Sequence, residues 1–359
     1  MKILATADTH VGFRQYGLVR REQDIERSFT NVLEKGVELE VDAITISGDI
    51  IHSVRPTAST INFLKKCQDY LLSKKQLCLV SIGNHDYSEP HWVSNLSSDS
   101  DYGFHVMHDC RHQFTESGKV TADLYAKSFC SKSEFAKGSC IPPVDILLMH
   151  QSFNELTNFP NEHGFSFDDF EELNAKVVVI GDTHIHRVFE KPGIKVCSPG
   201  STEIMSESED SEKFVFLIEK VNEEFTIESI PIQTRKVIRR ELNSEDEMAD
   251  LLGFLKTEEA NEPIVFLKFN TELQDVLSRI RKQIDTTKVI IRPKPIKVGE
   301  EQEVDKAVQQ ELTFSDILKE FIPDNPKQFE TVSQLLNPQA EVHSVLDSFI
   351  EERLKESND

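Results

Sequence analysis

The sequence predicts an α/β fold built on a sheet covered on both faces. Strand-length runs rich in Val, Ile and Leu recur through the first 220 residues, helical patterns separate the first three, and five runs end in Asp, Asn or His. Continuously apolar strands need cover on both faces, and interposed helices supply it. Strands are read at 2–8 (KILATAD), 43–49 (AITISGD), 77–86 (LCLVSIGNHD), 144–150 (VDILLMH), 176–182 (KVVVIGD), 194–201 (IKVCSPGS) and 213–220 (KFVFLIEK). Helices are read around 21–40 and 56–74, where apolar residues return every three or four positions. Residues 97–140 mix Ser, Asp, His and Cys and give no regular element, and the polar run 203–212 (EIMSESEDSE) reads as an exposed loop.

From 225 the pattern changes to strand (FTIESIPI), strand (RKVIRREL), helix (245–258), strand (263–269), helix (271–284) and strand (288–296), a small α+β cap. The remainder is polar and acidic, with two apolar-periodic helices near 312–322 and 328–353 punctuated by Pro323, Pro326 and Pro338. Such a tail has too few apolar residues for its own core and is expected to pack on a partner. The chain therefore divides into a first domain (1–222), a cap (223–298) and an acidic linker with helical tail (299–359).

A length of 359 residues suits two or three domains. Apolar content of 38% and charged content of 28% are ordinary for a folded soluble chain. No apolar run approaches the ~20 residues of a membrane span. MKILATADTH has too short an apolar run for a signal peptide, so export is not expected. Six cysteines without CxxC spacing point to reduced thiols in a cytoplasm. The net charge of −22 looks wrong for a nucleic-acid binder, but it is uneven. Residues 298–359 carry 15 Asp/Glu against 5 Lys/Arg, while 225–297 carry 12 against 13, with basic clusters at 235–240 and 279–297. Whole-chain charge neither excludes nor requires a polyanionic substrate.

The chemistry is concentrated at the strand ends. The first strand ends in Asp8-Thr9-His10 and the second in Gly48-Asp49, with His52 three residues on. The third ends in Gly83-Asn84-His85-Asp86, the fourth in His150-Gln151 and the fifth in Gly181-Asp182-Thr183-His184. Loops beyond the carboxyl ends of such strands converge on one crevice. One such end alone is more often a turn or helix cap, and its Gly could serve only a tight turn. Five together deliver oxygen and imidazole donors without a thiolate, a set suited to divalent ions of the Mn, Fe or Zn type. His105, His108, His112 and Cys110 have no matching second half for a zinc site and read as a surface loop. His91 and Trp92 carry no assignable role.

This order of motifs (D-x-H, G-D, G-N-H-D, a lone His, then G-H-x-H) resembles the calcineurin-like metallophosphoesterases. DTHVG at 8–12, GDIIH at 48–52, HQ at 150–151 and PGS at 199–201 resemble in particular the SbcD-type DNA repair and recombination nucleases, including phage recombination endonuclease subunits. The resemblance implies a metallophosphoesterase β-sandwich core with flanking helices, and covers the cap and tail in pattern only. Here the G-H-x-H motif departs from the family: Asp182 stands where its first His is expected. Two frames are open, Asp182 with His184 or His184 with His186. The first keeps Gly181 directly after the strand and is preferred; an Asp ligand adds negative charge and hardness.

Carried over on that frame, Asp8, His10, Asp49 and His184 would hold one ion. Asp49 would bridge to a second held by Asn84, His150 and Asp182. His85 would face the phosphate as stabiliser or proton donor, with His52 orienting it; His52 reads equally well as an exposed helix-start residue. Asp86 reads as structural. The family reading further implies Mn²⁺ (with Mg²⁺ possible), DNA ends or single strands as substrate, a homodimer formed by the helices and loops after the second and third motifs, and an SbcC-like coiled-coil ATPase bound through residues 311–355. Arg235, Lys236, Arg239 and Arg240 of the cap would contact the DNA backbone, or form only a solvated strand face of alternating charge. The rivals are a small-substrate phosphoesterase on the same metals, which would not need the cap and tail, and a non-catalytic DNA-end scaffold, against which the donor set and His85 count.

Overall fold

A computed structural model describes residues 1–87, 92–138, 141–157, 164–170, 175–273 and 275–296. The helices expected near 312–322 and 328–353, the ATPase-binding segment 311–355 and His91 lie outside the described residues. Contacts divide the chain into one unit of Met1–Leu267 with Asp275–Lys294 and another of Lys268–Gln274 with Pro295–Asp359. The described part of the second unit is two strand tips joined by the Thr271 N–H donating to the Ile296 carbonyl, 3.0 Å.

The apolar strands form two six-stranded sheets, the sandwich that the family resemblance implies rather than the single covered sheet that periodicity suggests. The first runs β12 (Glu224–Ile232), β11 (Lys213–Val221), β1 (Lys2–Thr6), β2 (Ala43–Ser47), β3 (Leu77–Ser81) and β4 (Gly103–Met107). The second runs β5 (Cys110–Glu116), β6 (Lys119–Ala126), β7 (Val144–His150), β8 (Ala175–Gly181), β10 (Ile194–Ser198) and β9 (Arg187–Lys191). β1 to β4 are mutually parallel, as are β6, β7, β8 and β10; antiparallel strands close both edges of the second sheet and one edge of the first, whose other edge is the parallel β4.

Two-residue alternation explains why these strands are apolar throughout. Ile3 and Ala5 of β1, Leu79 of β3, Ile146 and Leu148 of β7 and Val177 and Val179 of β8 meet in the layer between the sheets. Leu4, Ile44, Ile46 and Val80 point the other way, against Phe29 and Leu33 of α1 (Val19–Glu38) and Leu64 and Leu71 of α2 (Ala58–Lys74). The outer face of the second sheet, Leu147, Met149, Val178 and Ile180, is covered by Phe153, Phe165, Phe167 and Phe170. One face of each sheet thus has its own cover, and the sheets cover each other.

Three sequence expectations are corrected. Residues 97–140 are not irregular: β4, β5, β6 and a short helix α3 (Lys132–Gly138) lie there. Their alternation is diluted by His, Thr and Asp because β5 is an edge strand with one wet face. The strand at 225–232, expected to open the cap, pairs along its length with β11 in the first sheet. The run at 203–212 is not simply exposed: Glu203 and Ile204 are fully buried. A third sheet, β13 (Val237–Leu242), β14 (Ile264–Asn270) and β15 (Ile290–Ile296), is accompanied by α5 (Glu245–Glu258) and α6 (Val276–Gln283).

Candidate metal centre

The site forms where the carboxyl ends of β1, β2 and β3 meet those of β7 and β8. The loop after β1 is laced to the loop after β2: the amides of His10 and Val11 donate to the carbonyls of Asp49 and Ile50, each 2.9 Å. Buried Asp86 ties in the loop after β3, accepting from the amides of Gly83 (3.0 Å), Ile51 (3.0 Å) and Ile50 (3.3 Å). Two glycines are required by close approach. A Cβ on Gly48 would lie 2.3 Å from His150 Nδ1, and one on Gly83 would lie 2.1 Å from Asp49 Oδ1. They let backbone approach ligand, beyond serving the turns.

Asp8, His10, Asp49, Asp182 and His184 all have positive φ, between 45° and 99°. Asp and His tolerate that region better than most residues, yet each costs of order 1 kcal/mol or more. Every fully buried Val, Leu or Ile between the sheets is worth ~1.5–3 kcal/mol, so the core below holds the strain.

The side chains brought together are those named from the sequence. His10 Nε2 lies 3.1 Å from His184 Nε2 and 3.7 Å from Asp49 Oδ2. His150 Nε2 lies 2.9 Å from Asn84 Oδ1, 3.3 Å from Asp49 Oδ2 and 3.9 Å from Asp182 Oδ1. Asp8 Oδ1 is 3.7 Å from His150 Nδ1 and 4.0 Å from His184 Nε2, and the Asp8 carboxylate accepts from the Asp182 amide at 3.0 Å. Ligand-type atoms of Asp8, His10 and His184 form one compact group and those of Asp8, Asp49 and His150 another. A third joins His10, His52 and His85.

Electrostatics fit a cation. Burial, then Asp49 repulsion against the pull of His150 and His184, leaves Asp8 up at about 6. Asp182 is also raised, chiefly by burial. Burial would lower His150, but Asp49, Asp8 and Asp182 hold it at about 10. Asp49, although buried, is held near 2 by His150 and His10. Burial pushes His10 down to about 3, leaving a neutral imidazole ready to ligate. Three carboxylates held against imidazole nitrogens, without thiolate, fit hard or borderline divalent ions; an incoming ion would displace the His150 proton.

His85 is held differently. Its amide donates to Asp49 Oδ1 (2.9 Å) and its Nδ1–H to the His52 carbonyl (2.6 Å), which fixes Nε2 as the free nitrogen. The His52 ring stacks between His85, centroids 5.1 Å apart, and Phe13, 3.9 Å. His10, His52, Asn84, His85, Asp182 and His184 line one cleft of about 760 Å³.

The histidines of the two frames have different surroundings. His184 points Nε2 into the cluster, whereas His186 donates Nδ1–H to the Pro199 carbonyl (3.0 Å), accepts from Ser229 Oγ (2.8 Å) and stacks on Phe216, 4.3 Å. One residue was missed. His184 Nδ1 lies 3.0 Å from Glu209 Oε1, in the run read as exposed loop. Glu209 accepts from Lys213 Nζ (2.6 Å), Ser201 Oγ (3.0 Å) and the Met205 amide (3.1 Å); against its burial, His184 and Lys213 hold it down at about 2. A carboxylate on the second ring nitrogen fixes the His tautomer and raises its basicity. No spacing rule marks this glutamate among its acidic neighbours.

The expected DNA-contacting residues part company. Arg235 is corrected: it is 7% exposed, and its Nη2 donates to Asp24 Oδ1 at 2.9 Å, in a buried network with Arg21 and Glu203. An exposed reading failed because its neighbours in sequence are exposed while its own partners are in α1. Lys236 pairs with Glu258 at 2.6 Å, Arg239 donates to the Glu207 carbonyl at 3.0 Å, and Arg240 lies over Phe254; all three are exposed. His105, His108, His112 and Cys110 form no ligand group among the described residues.

A model of the calcineurin-like phosphoesterase superfamily domain matches residues 1–223. Proteins named "DNA double-strand break repair protein Mre11" are similar. That of Methanocaldococcus jannaschii is 27% identical over 317 residues, covering 81% of this chain and 82% of the relative. That of Methanococcus maripaludis is 29% identical over 58% of this chain and 59% of its own, and that of Methanosarcina mazei 26% over 77% and 46%. In the last two, the chain spans only about half of the relative's length. Among the described residues no helix is long and apolar enough to cross a membrane. The match over residues 1–223 and a donor cluster at the joined strand ends agree: the chain belongs to the calcineurin-like phosphoesterase superfamily.

Proposed function

We propose that this chain is a two-metal phosphodiesterase acting on DNA, a nuclease of break repair or recombination, with Mn²⁺ as the working ion. The observation that carries it is the cluster of seven ligand-type side chains, five of them (His10, Asp49, Asn84, Asp182 and His184) lining one cleft with His85, whose Nε2 is left free, and Asp8 and His150 buried against them. Asp8, His10, Asp49 and His184 would hold one ion, with Asn84, His150, Asp182 and the shared Asp49 holding the other. Two such ions bound together polarise a phosphoryl group and lower the pKa of water. His85 faces the same cleft with Nδ1 pinned by the His52 carbonyl, so once protonated at Nε2 it donates to the phosphate or the leaving oxygen. Phe13 and His52 hold that ring by stacking. The relatives' name supports DNA as substrate. Lys236, Arg239 and Arg240 are assigned to the backbone, residues 311–355 to a coiled-coil ATPase, and α2 with the loop after β3 to a homodimer.

The test is cleavage of end-labelled duplex and single-stranded DNA with Mn²⁺, Mg²⁺ or EDTA, with and without the ATPase partner, alongside bis-p-nitrophenyl phosphate. Mn²⁺-dependent DNA cleavage is expected. Turnover of the ester with DNA untouched even when the partner is present would make this a small-substrate enzyme. No turnover of either would leave a scaffold.

Two substitutions test the ligand frame. Asp182→Ala is expected to lose one of two ions by elemental analysis, and His186→Ala none; the opposite result would restore the His184/His186 frame. Glu209→Ala is expected to weaken one ion by about 10–100-fold in calorimetric titration, with the other unchanged, as for other carboxylates that orient a ligating His. Equal affinities in wild type and variant would reduce Glu209 to a packing role.

A further inference from the structure

The basic segment 279–297 has no part in the centre described above. It holds Arg279, Arg281, Lys282, Lys288, Arg292, Lys294 and Lys297 against a single acid, Asp285, in a chain of net charge −22. Part of it lines a second cleft, of about 290 Å³, where the turn Gln15–Gly17 meets α6 and β15. The walls include Leu18, Leu277 and Ile280; Arg20, Arg281 and Arg292 reach the cleft, and no carboxylate lines it.

The three guanidiniums are held without acids. Arg20 donates to the carbonyls of Thr286 (3.1 Å) and Thr287, Arg292 lies over the Tyr16 ring at 3.7 Å, and Arg281 is exposed. None has a carboxylate at ion-pair distance among the described residues, whereas Arg279 next door is paired with Glu245. Tyr16 itself is at φ 59°, the left-handed region. The Gln15 side chain beside it donates to the Met205 carbonyl (2.6 Å) and accepts from Arg21 Nε (2.8 Å). The turn so anchored sets the Tyr16 ring against the Arg292 guanidinium.

Guanidiniums match phosphate oxygens in a planar, two-pronged way and can stack on a base, and the apolar wall of Leu18, Leu277 and Ile280 can pack against one. We propose that this cleft binds one nucleotide unit of a nucleic-acid strand, away from the metals. A strand is favoured over a free nucleotide by continuity: the loop between β1 and α1 carries Phe13 into the metal-centre cleft and, three residues on, Tyr16 into this one. The proposal rests on the DNA reading above and adds a place where the strand is held.

The test is binding of fluorescent (dT)12 to the full chain in EDTA across a salt series, with dTMP as competitor. Arg281→Gln/Arg292→Gln is expected to bind at least tenfold more weakly, with a log–log salt slope shallower by about 0.7 for each phosphate left unneutralised. Arg281→Lys/Arg292→Lys is expected to keep the slope. Should the double variant unfold at lower temperature, the exposed single Arg281→Gln carries the same expectation. Unchanged affinity and slope in the Gln variants would overturn the subsite while leaving the nuclease reading intact. Displacement by micromolar dTMP would overturn the strand in favour of a free nucleotide. Wild type that neither binds nor cuts DNA would sink the nuclease reading and the subsite together.

Discussion

Asp49→Ala is expected to empty both metal positions and lower DNA cleavage by about 10³-fold or more. Like Asp8, Asp49 lies beside both groups of donors: its Oδ2 is 3.7 Å from His10 Nε2 and 3.3 Å from His150 Nε2, the nitrogen that also faces Asn84. Its other oxygen accepts from the His85 amide at 2.9 Å, so the loop bearing the free imidazole hangs on the same side chain. Metal assistance is worth several kcal/mol of transition-state stabilisation, and each ~1.4 kcal/mol is tenfold in rate. Ion content by elemental analysis and cleavage of end-labelled DNA are the measurements. Asp49→Asn is the companion variant, keeping volume and the hydrogen bond to His85 while removing the charge. Two ions retained in Asp49→Ala would overturn the bridging role.

His85→Ala is expected to lower the rate by about 10²–10⁴-fold, the usual range for a positioned proton donor, with both ions still bound. The expectation follows from the tautomer. A carbonyl only accepts, so the 2.6 Å contact to His52 puts the proton on Nδ1 and turns Nε2 to the cleft. An alternative exists in the geometry, since His10, His52 and His85 also come within ligand distance of one another. Ion content decides: loss of an ion in His85→Ala would make the residue a ligand. His52→Ala is expected to act less strongly, because the carbonyl that orients His85 belongs to the backbone and survives the substitution.

Much of the centre was legible in the sequence because strand-end chemistry is local. Gly-Asp, Gly-Asn-His-Asp and Asp-x-His announce themselves within a few residues, and Asp8, His10, Asp49, Asn84, His85, His150, Asp182 and His184 do meet. Glu209 was not legible. What distinguishes it from Glu207 and Asp210 is burial against Lys213 and Ser201, a property of where the chain folds back. Arg235 misled for the same reason: its exposed neighbours Arg239 and Arg240 share its charge, but only Arg235 reaches Asp24 inside the first unit.

By itself the sequence determined the apolar strands, the helices α1 and α2 between them, and the identity of nearly all the donors. These depend on two-residue and 3.6-residue periodicity and on turn chemistry, all short-range. The motif resemblance implied a sandwich, but only tertiary structure assigned each strand to its sheet, since an apolar run buried on both faces looks the same beneath a helix or a second sheet. It alone also gave His184 and His186 their different surroundings. Two residues of the same type, two positions apart, differ only in what surrounds them: Glu209 turns one ring toward the other donors, while Pro199, Ser229 and Phe216 hold the other against the sheet.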